Sequence, residues 1–319
     1  MKFIKIFFLF FILIISLITL FLNLQLLLNN KNIFVSLEAK ALDFPGQVYE
    51  SNLISKELPK KADLKQINLT INAESAISIE IAEGKSKILF EKNSQKRLPI
   101  ASLVKLMTAL VVLEKYDLSK KVVIDKSIMA EEGEQGNLKL GEVLSVKNLL
   151  YITLIESSNR AAYAISEVVG KDEFVALMNK KAKNLGLLNI YFKDSTGLDA
   201  GSYSTVQDIA KLSEYLFLNY PLFREIMGLK EFNLYLDNGL FHHKLINTNK
   251  LLGEVPGVIL GKTGWTDFAK GCFMVIQDLS LKTGSHKYVI HVVLGAKDRF
   301  GEMKKLINYL ESVSAERKY

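Results

Sequence analysis

Ser102-Leu103-Val104-Lys105 sets a hydroxyl and an amine three residues apart, so on a helix both project from one face, a turn apart. A serine hydroxyl attacks an amide only if a neighbour takes its proton. An amine can do so when burial or a nearby cation keeps it uncharged. Two further polar triplets follow. Ser157-Ser158-Asn159 interrupts an apolar helical run and suits a loop that delivers a hydroxyl and a carboxamide into a cleft. Lys262-Thr263-Gly264 follows Val258-Ile259-Leu260, which puts a cation and a hydroxyl on a strand whose glycine lets a ligand approach the backbone. Ser-x-x-Lys and Ser-x-Asn each occur once. Lys-Thr-Gly occurs twice, and the copy Lys282-Thr283-Gly284 lies in a polar stretch that reads as a solvated hairpin turn without chemistry.

The elements needed to position these groups are visible in the hydrophobic pattern. Leu103, Leu106, Met107, Leu110, Val111 and Leu113 recur at helical spacing, so a helix is predicted to begin just before Ser102 with this face buried. Residues 76–81 and 87–91 alternate around Glu83-Gly84-Lys85, which predicts a hairpin. Residues 146–218 are mainly helical, and strand-like runs return at 258–262, 271–277 and 288–294 before an amphipathic helix near 301–313. The two ends of the domain therefore supply one antiparallel sheet flanked by helices, with a helical subdomain inserted at about 116–250. The fold class is α/β, of the α+β kind.

The chain of 319 residues is 49% hydrophobic, enough for a substantial core, and its formal charge of +7 suits anionic surfaces. Lys and Arg are scattered, so no nucleic-acid partner is expected. A lone Cys272 in an apolar run reads as a small core residue. His242 and His243 are adjacent in an expected loop, from which no regular element turns both to one ion. His286 and His291 read as surface or core residues beside a strand. No His-Glu-x-x-His occurs, and neither a metal nor another cofactor is expected.

Met1, Lys2 and Lys5 form a positive head before the apolar stretch 6–22, extended by 24–28. A spanning helix needs ~20 apolar residues and a cleavable signal core ~7–15. Residues 1–28 are therefore predicted to be an uncleaved signal-anchor, 29–69 a stalk and 70–316 the folded domain. The head would stay cytoplasmic and the domain would lie outside the cell membrane, on the periplasmic or cell-wall side. Ala39-Lys40-Ala41 has the form of a cleavage site, and cutting there would leave a secreted protein.

The text around the triplets resembles the D-alanyl-D-alanine carboxypeptidase family, the low-molecular-mass penicillin-binding proteins that act as serine DD-peptidases. The matching segments are 98–109, 137–150, 156–164, 174–187, Thr196-Gly197-Leu198, Tyr203-Ser204-Thr205, Asp208-Ile209-Ala210, 257–273 and 295–310. The three triplets, in this order, are the signature of penicillin-recognising enzymes. The resemblance implies a penicillin-binding protein/β-lactamase-like fold, a peptidoglycan stem peptide ending in D-Ala-D-Ala as substrate, and β-lactams as covalent inhibitors. It implies Ser102 as nucleophile, Lys105 as general base and Ser157 as proton relay to the leaving group. Asn159 would hold the substrate amide, Lys262 would organise charge, and Thr263 would bind the terminal carboxylate beside Gly264. The amides of Ser102 and Trp265 would form the oxyanion hole. Arg299 resembles a family arginine that meets the same carboxylate. Asp194-Ser195-Thr196-Gly197 stands where the family commonly shows Asn-Pro-Thr-Gly, and no role is carried onto Asp194. Members often continue into a small β domain with an amphipathic anchor, whereas this chain stops about twenty residues after Arg299, so the N-terminal anchor is expected to substitute. No Glu-x-x-Leu-Asn lies between Asn159 and Lys262, which speaks against a class A β-lactamase. The resemblance favours removal of the terminal D-Ala. A cross-bridge endopeptidase using the same residues and a catalytically silent wall-binding module are the alternatives, the latter disfavoured by three intact triplets.

Overall fold

Residues 288–294 are apolar at nearly every position, a pattern that suits a strand covered on both faces. In the computed structural model, which describes residues 60–61, 69–133, 135–280 and 286–316, with side chains to 313, they lie in the middle of the sheet. The strands are β1 (Lys60–Lys61), β2 (Ser75–Ala82), β3 (Lys85–Lys92), β4 (Leu98–Pro99), β5 (Lys121–Val123), β6 (Val143–Ser145), β7 (Tyr203–Ser204), β8 (Glu231–Tyr235), β9 (Phe241–Ile246), β10 (Val258–Thr266), β11 (Lys270–Asp278) and β12 (Lys287–Ala296). The helices are α1 (Val104–Lys115), α2 (Lys126–Ala130), α3 (Val146–Ile155), α4 (Asn159–Glu167), α5 (Lys171–Asn184), α6 (Val206–Asn219), α7 (Pro221–Gly228) and α8 (Arg299–Glu316).

The main sheet has six strands in the order β1-β3-β2-β12-β11-β10, antiparallel except where β1 runs parallel to β3. Its hairpin β2–β3 turns at Glu83 and Gly84, both at positive φ, as a two-residue turn requires. Alternate residues of β12 face opposite layers. Val293 joins Phe273 and Val275 of β11 against Met303, Leu306 and Ile307 of α8. Tyr288, on the other side, meets Phe217 of α6 with ring centroids 4.9 Å apart. Each fully buried aliphatic side chain in these layers contributes about 1.5–3 kcal/mol.

The sequence expectations for the hairpin, the three C-terminal strands and the closing helix match these elements. Three details differ. Helix α1 is buried all round from Val104 to Val112 rather than along one face, because it runs through the middle of the helical layer. The helical insert also carries the ribbons β5–β6 and β8–β9. Lys60–Lys61, within the expected stalk, forms the parallel edge strand β1. The expected anchor, most of the expected stalk and Lys282-Thr283-Gly284 lie outside the described residues. Among the described residues, no helix is long and apolar enough to cross a membrane.

Candidate active site

Ser102 stands on a 3-10 turn, Ala101–Leu103, that leads into α1, so it sits just before the α-helix rather than inside it. Ala101 is held at φ +47 and Ser157 at φ +63, sparsely populated conformations that cost about 1–3 kcal/mol each and persist where the surroundings enforce them. The enforcing surface under Ser102 is strand β10. A Cβ built on Gly264 would lie 2.9 Å from the Ser102 amide nitrogen and 3.1 Å from Ala101 Cβ, so only glycine lets the strand come this close.

Lys105 projects from the first turn of α1 and is fully buried. Its Nζ lies 3.0 Å from Ser102 Oγ, 2.7 Å from Asn159 Oδ1 and 2.6 Å from the Thr196 carbonyl. Asn159 Nδ2 donates to the Glu132 carbonyl at 3.1 Å, which fixes the amide so that its oxygen faces the lysine. The two carbonyl-type oxygens can only accept. A neutral Lys105 therefore gives both its hydrogens to them and turns its lone pair to the Ser102 hydroxyl. Burial holds this amine down at about 7, against the opposing pull of the Asp194 and Glu131 carboxylates. That value is matched to a proton acceptor working near neutrality.

Ser158 caps α4 by accepting from the Ala161 amide at 3.2 Å, and its hydroxyl donates to the Gln135 carbonyl at 2.6 Å. This cap fixes the bend that presents Ser157 and Asn159 on either side of it. Lys262 Nζ, fully buried on β10, donates to Ser157 Oγ at 2.7 Å and to the Thr263 carbonyl at 3.0 Å. Burial first, then the positive charges of Lys105 and Arg299, push the Lys262 ammonium well below its ordinary range. The cleft thus holds two base–hydroxyl pairs, Lys105–Ser102 and Lys262–Ser157. Strand β10 is the sheet's outermost strand on this side.

Thr263 Oγ1 donates to Thr248 Oγ1 at 2.7 Å, so a second hydroxyl joins the one expected from sequence. Thr248 lies just beyond β9 with its amide on the Ile155 carbonyl at 3.1 Å, and no local pattern marks it. Trp265 is 56% exposed at the end of β10. The resemblance places Arg299 at the terminal carboxylate, and in the structure it reaches strand β10. Its Nη1 donates to the Gly264 carbonyl at 2.8 Å and its guanidinium stacks 5.0 Å from the Phe300 ring centre. It braces the Lys-Thr-Gly strand from α8, because β11 narrows to Gly271 at that point, where a Cβ would meet Arg299 Cβ at 2.9 Å. His242 and His243 differ from expectation. They lie on β9, where an irregularity in the pairing opposite Leu234 and Tyr235 brings their Nδ1 atoms to 2.5 Å, with Glu142 and Glu156 at the outer nitrogens. Cys272 is buried, and burial pushes its thiol up to about 12.

A partly exposed serine on a strained turn, with a fully buried lysine aimed at it beneath an edge strand, defines a serine hydrolase of the Ser-Lys type. Residues 60–298 match the family model described as D-alanyl-D-alanine carboxypeptidase, peptidase S11, and the chain belongs to that family. It is 38% identical over 252 residues to the D-alanyl-D-alanine carboxypeptidase DacF of Bacillus subtilis, covering 76% of this chain and 62% of that protein, so less than two thirds of the relative is matched. It is 30% identical over 256 residues to a D-alanyl-D-alanine endopeptidase of Escherichia coli, covering 76% of this chain and 82% of that protein. The crystal structure of a D-alanyl-D-alanine carboxypeptidase from Mycobacterium tuberculosis superposes with a TM-score of 0.70 at 25% identity, over 80% of this chain and 96% of that one.

Proposed function

We propose that this chain is an exported serine DD-carboxypeptidase that removes the terminal D-Ala from peptidoglycan stem peptides through an acyl-enzyme on Ser102. The observation that carries the reading is the geometry of Lys105 Nζ, whose contacts with Asn159 Oδ1 and the Thr196 carbonyl leave only the Ser102 hydroxyl for its lone pair. Lys105 takes the Ser102 proton as Oγ adds to the penultimate carbonyl, and the oxyanion meets the amides of Ser102 and Trp265. Ser157, hydrogen-bonded to Lys262, hands a proton to the departing D-Ala nitrogen and recovers one from the Lys105 ammonium, so the proton taken from Ser102 ends on the leaving group. Asn159 orients the substrate amide, and the Thr263–Thr248 hydroxyl pair with Lys262 receives the terminal carboxylate. Arg299 holds the strand in place. Water then releases the shortened peptide. β-Lactams enter the same path and stop at the acyl-enzyme. Residues 1–28 tether the enzyme to the membrane with the catalytic domain outside, a reading supported by the length of their apolar stretch.

The endopeptidase reading is favoured by one observation, the match over 82% of an endopeptidase's length. A free carboxylate at the leaving residue separates the two. A pentapeptide ending in D-Ala-D-Ala is expected to lose one D-Ala, and amidating its terminus to slow cleavage about tenfold or more, since a charge-assisted contact contributes about 1.5–3 kcal/mol. Chromatography with mass detection on pentapeptide and cross-linked dimer decides it. Cleavage of dimers with pentapeptides untouched would replace the carboxypeptidase by the endopeptidase.

A further inference from the structure

The loop of residues 194–199 touches the nucleophile helix at three places. Thr108 Oγ1, on the turn of α1 after Lys105, donates to the Ser195 carbonyl at 2.7 Å. Lys105 Nζ donates to the Thr196 carbonyl at 2.6 Å. Gly197, at φ +89, lies so close that a Cβ would stand 2.0 Å from the Ala101 carbonyl oxygen and 2.9 Å from the Ser102 nitrogen. Both its conformation and its space demand glycine. One carboxylate holds the loop in this shape. Asp194 Oδ1 accepts from the Gly197 amide at 2.7 Å and the Thr196 amide at 3.2 Å. Its Oδ2 accepts from the Asp199 amide at 2.8 Å and from Thr196 Oγ1 at 3.1 Å.

We propose that Asp194 is a positioning residue of the acylation step: its four hydrogen bonds fix the loop that seats Lys105 Nζ and the Ser102 main chain, and its negative charge faces the Lys105 amine. The proposal rests on Ser102 acylation as described above and extends it to a residue outside the three triplets. An aspartate here does more than shape a turn. The charged groups around Lys105 are Asp194, Glu131 and Lys262, with Glu132 and Lys171 acting on Glu131 behind them. Asp194 and Glu131 favour the ammonium, while burial opposes it. Of the two, Asp194 acts on Lys105 more strongly than Glu131, whose own carboxyl is raised first by burial and then by the charge of Asp194. Neutralising Asp194 therefore moves the deprotonation of Lys105 to lower pH. An asparagine keeps one oxygen for the Thr196 and Gly197 amides, but presents an amino group where Thr196 Oγ1 and the Asp199 amide need an acceptor.

The test is the rate of acylation by a fluorescent penicillin as a function of pH, for the full chain and for Asp194→Asn and Asp194→Ala, with thermal melts alongside. For Asp194→Asn the acid limb of the profile is expected to move to lower pH, with a reduced plateau. For Asp194→Ala the plateau is expected to fall about 100-fold, the scale of a small misplacement of reacting groups. A purely structural role would lower the melting temperature without moving the limb. An Asp194→Asn limb coincident with that of the unmodified chain overturns the proposal whatever its melting temperature, and this variant carries the test alone if Asp194→Ala does not fold. An unmodified chain that is never acylated would instead overturn the acyl-enzyme reading on which the proposal rests.

Discussion

Ser78 and Ser102 each meet a fully buried nitrogen base. In the middle of the sheet, Ser78 Oγ on β2 lies 2.8 Å from His291 Nδ1 on β12, and in the cleft Ser102 Oγ lies 3.0 Å from Lys105 Nζ. By contact distance the sheet pair is the better hydrogen bond. Its surroundings differ in access and in charge. Ser78 and His291 are both sealed from solvent, and burial alone takes the imidazole down to about 3, so it is a poor proton acceptor. Lys105 is buried as deeply, yet the Asp194 and Glu131 carboxylates oppose that burial and leave it at about 7. Its serine opens to the cleft, and two fixed carbonyl oxygens choose where its lone pair points. A base–hydroxyl contact is therefore cheap in a protein interior. Access, orientation and counter-charges set the Ser102–Lys105 contact apart.

Removing each base in turn should separate the two pairs most strongly. Lys105→Met keeps the volume of the side chain and is expected to reduce acylation by about 10²–10⁴-fold, the usual weight of a positioned general base. His291→Leu is expected to leave the acylation rate of the folded fraction within about twofold, because the sheet pair takes no part in the chemistry. Stopped-flow acylation of the two variants measures both. Equal losses would show that the sheet pair matters to the chemistry.

A smaller effect is expected from pH. Lys105 accepts a proton only when neutral, so below about 7 the acylation rate should fall about tenfold per pH unit and should level off above it. A pH–rate profile checks the sign, and a rate that rises into acid would contradict it. The sheet pair instead couples to stability. His291 titrates at about 3 in the fold against 6.5 when free, so its neutral form is fully compatible with folding above 6.5 and stability is lost as pH falls from there toward 3. At pH 5 the loss is about 2 kcal/mol. Denaturant melts at pH 7 and 5 should show a smaller difference for His291→Leu than for the unmodified chain.

Much of the site was legible because its chemistry clusters in short motifs. Ser102 and Lys105 are fixed by helical spacing, and Lys262, Thr263 and Gly264 by one strand, so local periodicity places them. Gly264 was legible as a close approach, although not that its neighbour would be the Ser102 backbone. What was not legible depends on pairing across long stretches of chain. Thr248 meets Thr263 only once the segment after β9 is held on the Ile155 carbonyl, and nothing around it in sequence signals a role. Likeness alone points to Arg299, and its hydrogen bond to the Gly264 carbonyl depends on the approach of α8 to Gly271. His242 and His243 were expected in a loop, and a regular element would keep adjacent side chains from meeting one ion. The irregular pairing in β9 removes that constraint. The loop of residues 194–199 carried a visible Thr-Gly, but its contact with Ala101 and Lys105 needed the fold.

Ser102, and no other hydroxyl beside a buried base, is expected to form the acyl-enzyme. The most direct test is to incubate the folded protein with a labelled penicillin, measure the intact mass and map the modified peptide. One adduct per chain is expected, on the peptide carrying Ser102, absent from Ser102→Ala and undiminished in Ser78→Ala. An adduct mapped to another serine, or one that survives Ser102→Ala, would contradict the account.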